Sequence, residues 1–333
     1  MAIIIHHNDD DGRCAGAIAY RQLVNPFDPR KICYEYHHGR KNDITFEIGR
    51  PNEPVFILDL GLDDELMNVI REFDKLGAKI VHIDHHKSTL DFLKSASDSD
   101  KEVLGHINQL VRIGVSGCLL TYVYANMSDE DKENISNLPD DRFDFTEERS
   151  HFAFFTNGKP GLDYAIPLGI RLIDDYDVWR HQMEETKYFN LGFSMEEDKS
   201  PSSDIWQPIV APIGTTDIRT LYTKYIDPGT TIFNYQEALN ARTMSRAFES
   251  EIDGVKCLCV NGTGNSFVFG DKLHEYPMCC LYYYTGEKWK YALFSSETAD
   301  IAVDVSEVAR KHGGGGHMHA AGFTSNSLVF VPK

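Results

Sequence analysis

Short apolar runs, each followed by acidic residues, recur along the first part of the chain. They are rich in β-branched residues, as expected for strands that are buried on both faces of a sheet. Residues 63–76, which lie between two of these runs, carry an apolar stripe at helical spacing. Strand, helix and strand in succession predict right-handed crossovers in a parallel sheet. The three runs are residues 3–5, 55–58 and 80–83.

The last third of the chain shows a different pattern. Residues 278–284 and 290–294 predict a hairpin with a turn at 285–287, and 255–260 predict another strand. A long helix beginning near Phe233 precedes them. We therefore predict an α/β protein, with an N-terminal, mostly parallel sheet flanked by helices and a smaller α/β C-terminal domain.

Composition narrows the class of protein. The 333 residues suffice for two domains, and a formal charge of −18 disfavours stable binding of duplex nucleic acid or an anionic membrane. Seven cysteines, an odd number without a zinc-type C-x-x-C pair, favour a reducing, cytoplasmic setting. Because no apolar run approaches the ~20 residues of a membrane span, we expect no transmembrane helix.

The end of the first predicted strand concentrates polar side chains. His6 and His7 are followed by three consecutive aspartates and Gly12. Adjacent carboxylates repel one another unless a cation lies between them, and imidazole mixed with carboxylate suits Mn²⁺, Fe²⁺, Zn²⁺ or Co²⁺. Acidic residues at this place also cap helices, so the segment alone leaves a metal site and a helix cap open.

The other two predicted strands end in the same way. Asp59 follows the second strand, and Asp84, His85 and His86 follow the third. The C-terminal ends of parallel strands meet along one edge of an open sheet, where such folds place their ligands. Three acidic strand ends at one edge favour a metal site over three independent helix caps.

These motifs together resemble the DHH phosphoesterase family. The C-terminal glycine run resembles the signature of the DHH-associated C-terminal domain, and the order of the two signatures is more specific than either one. The motifs are His7-x-Asp9-x-Asp11-Gly12, Asp59-Leu60-Gly61, Asp84-His85-His86, Asp174-Asp175-Tyr176-Asp177, Gly313-Gly314-Gly315-Gly316-His317 and Ala320-Ala321-Gly322-Phe323.

The resemblance implies a domain division and a cofactor. It implies a catalytic metal-binding domain at 1–195, a linker and connecting helix at 196–248, and a substrate-binding domain at 249–333, with the active site in the interdomain cleft. It further implies two divalent ions, Mn²⁺ by preference, with Mg²⁺, Co²⁺ or Fe²⁺ as alternatives. His6 in place of His7, and Asp177 in place of Asp175, remain open. One ion would take His7, Asp9 and Asp59, and the other Asp11, Asp59, His85 and Asp175.

The same resemblance implies which residues contact the substrate. Asp59, His85 and His86 would be catalytic, with His86 also donating a hydrogen bond to a phosphate oxygen. Residues 293–296 lack an arginine that many relatives carry before the glycine loop, so another cation would have to compensate. The candidates are Arg13, Arg40, Lys41 and Arg180 for that cation, and Gly315, Gly316, His317 and Ser116 for further substrate contacts.

The implied activity is that of a metal-dependent phosphodiesterase. Very short RNA or DNA oligonucleotides, or linearised or cyclic dinucleotides, would be hydrolysed to 5′-mononucleotides by a two-metal-activated water, as by a nano-RNase-like oligoribonuclease or a cyclic-nucleotide phosphodiesterase. A phosphoanhydride hydrolase acting on pyrophosphate or polyphosphate is the alternative. A non-catalytic nucleotide sensor is a weaker rival because every ligand position is filled, and the strong acidity disfavours a RecJ-like exonuclease. A homodimer remains open.

Overall fold

The computed structural model describes residues 1–25, 28–48, 50–137, 143–156, 159–211, 218–298, 301 and 303–330. The chain divides into two compact units, Met1–Thr230 and Thr231–Lys333. The division falls inside the segment 196–248, which we assign from the sequence to a linker and connecting helix. The boundaries at 195 and 249 stay predictions.

The first unit contains a parallel sheet of five strands in the order β2-β1-β3-β4-β5. This confirms the predicted parallel sheet, in which β2 lies at one edge. The order reverses direction between β1 and β3, so loops after these two strands diverge and leave a crevice at the C-terminal edge. The strands are β1 (Ala2–His7), β2 (Lys31–Tyr36), β3 (Pro54–Leu58), β4 (Lys79–Asp84) and β5 (Asn108–Val111).

Helices cover both faces of this sheet. Ile4 packs into one core with α1 and α5, whereas Ile3 and Ile5 pack into another with α2, as alternation along a strand requires. The first helix begins at Asp10 and is capped by the side chain of Asp9. The helices of the first unit are α1 (Asp10–Ile18), α2 (Asp64–Lys75), α3 (Lys87–Ser95), α4 (Asp98–Leu104), α5 (Gly117–Asn126), α6 (Asp129–Glu133), α7 (Leu168–Asp177), α8 (Glu185–Phe193), α9 (Gln207–Val210), α10 (Arg219–Leu221) and α11 (Asp227–Met244), the last continuing into the second unit.

Two features complete the first unit. A three-stranded antiparallel sheet precedes α7 and consists of β6 (Phe143–Phe145), β7 (His151–Thr156) and β8 (Lys159–Ala165). Part of the segment assigned to the linker is built into the core, because Trp206, Ile209 and Tyr225 are buried against α8 and its neighbours. The assignment of this segment to a linker did not anticipate these buried side chains.

The second unit is rich in β-structure. Among its described residues, six strands form one sheet in the order β13-β14-β12-β11-β10-β9, and β11 and β12 form the predicted antiparallel hairpin. Asp304 caps α13 by accepting a hydrogen bond from the Ser306 amide. The elements are β9 (Phe248–Ile252), β10 (Val255–Asn261), α12 (Lys272–Glu275), β11 (Met278–Tyr284), β12 (Trp289–Phe294), α13 (Val305–Lys311), β13 (Gly315–His317) and β14 (Ala320–Ser325). Within the described ranges, no helix has the length and apolarity needed to cross a bilayer.

Candidate metal centre

The candidate ligands lie at the C-terminal edge of the parallel sheet. His7 is the last residue of β1, Asp59 follows β3 directly, and His85 follows β4 directly. Asp9 caps α1 by accepting a hydrogen bond from the Gly12 amide at 2.8 Å. The short turns after β1, β3 and β4 therefore bring together side chains that are far apart in sequence, at the point where the strand order reverses.

His7, Asp9 and Asp59 form one group of converging ligand atoms. Nδ1 of His7 lies 2.6 Å from Oδ2 of Asp9 and 3.7 Å from Oδ2 of Asp59. This buried nitrogen makes no hydrogen bond with any partner among the described residues. His6 points away, since its ring is buried beside Gly16 and its Nδ1 lies 2.8 Å from the His7 carbonyl oxygen. The geometry thus favours His7 over His6.

A second group contains Asp11, His85 and Asp177. Nε2 of His85 lies 3.0 Å from Oδ1 of Asp59, 3.5 Å from Oδ2 of Asp177 and 3.8 Å from Oδ2 of Asp11. Asp59 therefore turns one carboxylate oxygen toward His7 and the other toward His85. This is the arrangement expected of a carboxylate that bridges two cations.

Polar atoms without hydrogen-bond partners show what the site is suited to hold. Both carboxylate oxygens of Asp59 and Oδ2 of Asp177 are buried, and none has a hydrogen-bond partner among the described residues. Burial of an ionised carboxylate without a partner costs several kcal/mol of folding free energy unless a cation compensates its charge. Imidazole and carboxylate donors together suit Mn²⁺ and related divalent ions. The residues present therefore fit two divalent cations, one on each side of Asp59.

The electrostatics of the ligands agree with a strongly anionic site. The carboxylates of Asp59 and Asp9 raise the pKa of His7 to about 10. Burial alone would lower the pKa of His85, but the contact with Asp59 raises it to about 9. Burial and the charge of Asp59 raise the pKa of Asp177 to about 6 and that of Asp11 well above its usual value. Positive charge at this place is therefore strongly stabilised.

Backbone geometry around Asp59 is constrained. Asp59 has a left-handed backbone, with φ of 58°, which is uncommon for a residue with a side chain. Gly117, the first residue of α5, lies against it, and a Cβ atom there would be 2.6 Å from the Cβ atom of Asp59. Sequence reasoning missed Gly117. Its sequence signal is a glycine directly after the Ser116 cap, which by itself suggests only a helix start.

The N-terminus of α5 holds Asp11. The amides of Gly117 and Cys118 donate hydrogen bonds to Oδ2 and Oδ1 of Asp11, at 2.7 and 2.8 Å. Ser116 caps this helix, and its hydroxyl oxygen accepts a hydrogen bond from the Leu119 amide. Because Ser116 is fully buried, its side chain stabilises the helix start, and its contact with substrate stays a prediction.

The aspartates of α7 have separate roles, and Asp175 does not join the cluster. Its carboxylate accepts hydrogen bonds from the amides of Gln182 and Met183 at 3.0 and 3.1 Å, and from the Thr186 hydroxyl at 2.6 Å. Asp177, the reserve candidate, lies beside His85 instead. Asp177 is two residues after Asp175, so the helix turns the two side chains in different directions. We therefore replace Asp175 by Asp177 in the proposed ligand set.

Two of the predicted cations near the site, Arg13 and Arg180, are paired with carboxylates of the protein. Nε of Arg13 donates to Glu35 at 2.9 Å, and Arg180 contacts the buried carboxylate of Asp174 at 2.7 Å. The ring of His38 lies 6.0 Å from the ring of His7, and its Nδ1 is 2.9 Å from Oδ2 of Asp63. Arg40 and Lys41 are exposed. None of these contacts singles out a phosphate-binding cation.

His86 is held in a fixed orientation by Asp84. Nδ1 of His86 is 2.7 Å from Oδ1 of the fully buried Asp84, whose other oxygen accepts from the Thr89 hydroxyl. This contact fixes the orientation of the His86 imidazole. The contact with Asp84 raises the pKa of His86. His86 is half-exposed at the edge of the site, so its other nitrogen can donate to a bound anion.

The glycine run in the second unit forms a tight hairpin. A Cβ atom on Gly314 would lie 2.1 Å from the Gly322 carbonyl oxygen, and one on Gly316 would lie 2.5 Å from Cα of Ala321. Close packing of β13 on β14 therefore requires these two glycines. Gly315 has open space around its backbone and is exposed, as is His317. Their predicted role in substrate binding stays a prediction.

Comparisons with known proteins give low similarity. No family model matches the sequence, and no curated protein matches it. Solved structures with a related arrangement include a pGpG-specific phosphodiesterase, PggH, from Vibrio cholerae, with TM-score 0.45, 12% identity, and coverage of 98% of this chain and 93% of that one. An uncharacterized protein from Helicobacter pylori G27 gives TM-score 0.35, 12% identity, and coverage of 98% and 94%. An exopolyphosphatase-related protein from Bacteroides fragilis gives TM-score 0.36, 12% identity, and coverage of 98% and 87%.

Proposed function

We propose that this chain is a metal-dependent phosphodiesterase of the DHH type. Its substrates would be very short oligonucleotides or dinucleotides, hydrolysed to 5′-mononucleotides. The observation that carries the proposal is the buried carboxylate of Asp59, whose two oxygens face separate groups of ligands and have no hydrogen-bond partner among the described residues. The proposed ligands are His7, Asp9, Asp11, Asp59, His85 and Asp177.

Paired divalent ions, when bound, would lower the pKa of a water and neutralise charge on the phosphoryl group. The protein's own residues set the geometry. The strand ends hold His7, Asp59 and His85 in fixed positions, and the amides at the start of α5 fix Asp11. Such positioning by rigid elements is a main source of rate acceleration in phosphoryl transfer.

His86 is suited to contact the substrate. Asp84 holds Nδ1 and favours the protonated imidazole, so Nε2 would donate a hydrogen bond to a non-bridging phosphate oxygen. In the reaction the water oxygen bonds to phosphorus, the bond from phosphorus to the 3′-oxygen breaks, and that oxygen gains a proton. No protein nucleophile is required.

Product analysis tests this function. Protein loaded with Mn²⁺ would be incubated with a dinucleotide, a 5-mer and a 24-mer RNA, a cyclic dinucleotide and pyrophosphate. We expect 5′-mononucleotide from the shortest substrates and none from Asp59→Asn. Asp253→Asn is a matched control, because Asp253 also has a left-handed backbone, with φ of 51°, and lies in the second unit. Phosphate from pyrophosphate alone would favour the anhydride hydrolase, and binding without turnover would favour a sensor.

A further inference from the structure

An exposed aromatic group lies directly beside the candidate metal centre. Trp179 exposes 72% of its surface and Tyr176, next to the proposed ligand Asp177, exposes 40%. The two rings are nearly parallel, at 25° with centroids 6.3 Å apart. His181 stands edge-on to both, with centroid distances of 5.1 Å to Trp179 and 5.7 Å to Tyr176. A large aromatic surface left in water beside carboxylates needs an explanation.

The loop that presents Trp179 is held in an unusual conformation. Trp179 and His181 both have left-handed backbones, with φ of 55° and 48°, which residues with side chains rarely adopt. The carbonyl oxygen of Asp175 accepts from the amides of Arg180 and His181, and its carboxylate accepts from those of Gln182 and Met183. Asp175 is fully buried. It therefore acts as a positioning residue that fixes the aromatic loop.

The aromatic group and the metal ligands share one cavity. A cavity of about 250 Å³ is lined by Trp179 and Tyr176 together with Asp9, Asp11 and Asp177. Its wall also includes Asn190, whose amide offers both a donor and an acceptor. A molecule in this cavity would therefore contact carboxylates that hold the cations, a flat aromatic face and a hydrogen-bonding amide.

We propose that Trp179 is a stacking platform for a nucleobase of the substrate, which makes this residue a determinant of specificity for nucleotides over inorganic phosphates. This inference rests on the proposed function and names its substrate class. Every base has a π-face that stacks on an aromatic side chain whatever its identity. Pyrophosphate and polyphosphate have no such face, so Trp179 would contribute nothing to their binding. The fixed loop means that little conformational entropy is lost on stacking.

The test compares Trp179→Ala and Trp179→Phe with the wild type. The substrates are a dinucleotide, the same dinucleotide without its bases, and pyrophosphate. Loss of one stacking contact corresponds to about a 5- to 150-fold weaker interaction. We expect KM for the dinucleotide to rise by about this factor in Trp179→Ala, while kcat changes little. In Trp179→Phe, whose ring can also stack, KM should return toward the wild-type value. KM for the base-free dinucleotide should be equal in wild type and Trp179→Ala. Phe267→Ala is the control, because Phe267 is 70% exposed and lies in the second unit.

A binding measurement separates this inference from the proposed function. Fluorescence of Trp179 would be followed on addition of a dinucleotide with a non-hydrolysable methylene linkage, with Trp179→Phe as the blank. Quenching of the Trp179 fluorescence without turnover of any phosphodiester would contradict the proposed phosphodiesterase function and support the stacking role of Trp179. Turnover with an unchanged KM for the dinucleotide in Trp179→Ala would contradict the stacking role of Trp179 and leave the proposed function standing. An equal rise in KM for the base-free dinucleotide would do the same.

Discussion

Gly117 leaves the space that the carboxylate of Asp59 occupies. A Cβ atom at Gly117 would lie 2.6 Å from Cβ and 2.8 Å from Oδ1 of Asp59, closer than non-bonded atoms approach. The same residue donates its amide hydrogen to Asp11. One glycine at the start of α5 thus sets the positions of two proposed ligands.

Gly117→Ala should therefore impair the metal centre. Alanine is the better helix former, by up to about 1 kcal/mol, so any loss would come from the contact with Asp59 and not from helix propensity. Displacement of a catalytic group by about 1 Å costs on the order of 100-fold in rate. We expect a fall in kcat of about this size and weaker Mn²⁺ binding by calorimetry.

The control for this variant is Gly262→Ala in the second unit. An added Cβ atom there would meet only Cγ2 of Thr243, at 3.4 Å, and Gly262 has no left-handed backbone. Equal activity in Gly117→Ala and Gly262→Ala would contradict the role assigned to Gly117.

Asp175→Asn and Asp177→Asn should change different properties of the protein. Asp177→Asn removes a charge from the cluster, so we expect weaker Mn²⁺ binding with the fold intact. Asp175→Asn disturbs three hydrogen bonds of a buried carboxylate, which predicts a loss of about 1–3 kcal/mol in unfolding free energy while Mn²⁺ binding is retained. Urea unfolding in EDTA and Mn²⁺ titration measure the two quantities. A reversed outcome would return Asp175 to the ligand set.

Metal binding should stabilise the first unit. A cation that binds only the folded state at a hundredfold excess over its Kd adds about 2.7 kcal/mol. We expect the Tm of the wild type to rise with Mn²⁺ and fall with EDTA, and Asp59→Asn to lose this response. Asparagine tolerates the left-handed backbone of Asp59, so this variant removes the charge without straining the turn. A full Mn²⁺ response in Asp59→Asn would argue against a bridging role.

His82 predicts a pH dependence of stability. It is fully buried, its Nε2–H donates to the Leu60 carbonyl at 2.8 Å, and its Nδ1 accepts from the Gln109 amide. Burial lowers the pKa of His82. Since the unfolded chain then binds a proton that the folded chain does not, His82 makes stability fall as pH drops below about 6.5, by at most about 1.4 kcal/mol per pH unit.

Urea unfolding at pH 7.5 and 5.5 in EDTA would measure this effect. The decrease in unfolding free energy from pH 7.5 to pH 5.5 should be larger in wild type than in His82→Gln. His106→Gln, at an exposed position, should behave like wild type. An equal decrease in wild type and His82→Gln would show that His82 does not contribute to the pH dependence of stability.

The sequence allowed much of the first unit to be predicted because its signals are local. The apolar runs before His7, Asp59 and Asp84 define β1, β3 and β4, and parallel pairing then brings their ends together. The division of roles among Asp174, Asp175 and Asp177 was not predictable from the sequence, because it depends on how α7 turns and on the loop that follows it. Gly117 and Trp179 were missed for the same reason, since their partners come from other parts of the chain.

Anomalous diffraction at the manganese edge, from crystals grown with Mn²⁺, tests the central claim most directly. The account predicts two peaks about 3.5–4 Å apart on either side of the Asp59 carboxylate. One should lie beside His7 and Asp9, and the other beside Asp11, His85 and Asp177. A single peak that does not contact Asp59, or no peak at this edge of the sheet, would contradict it.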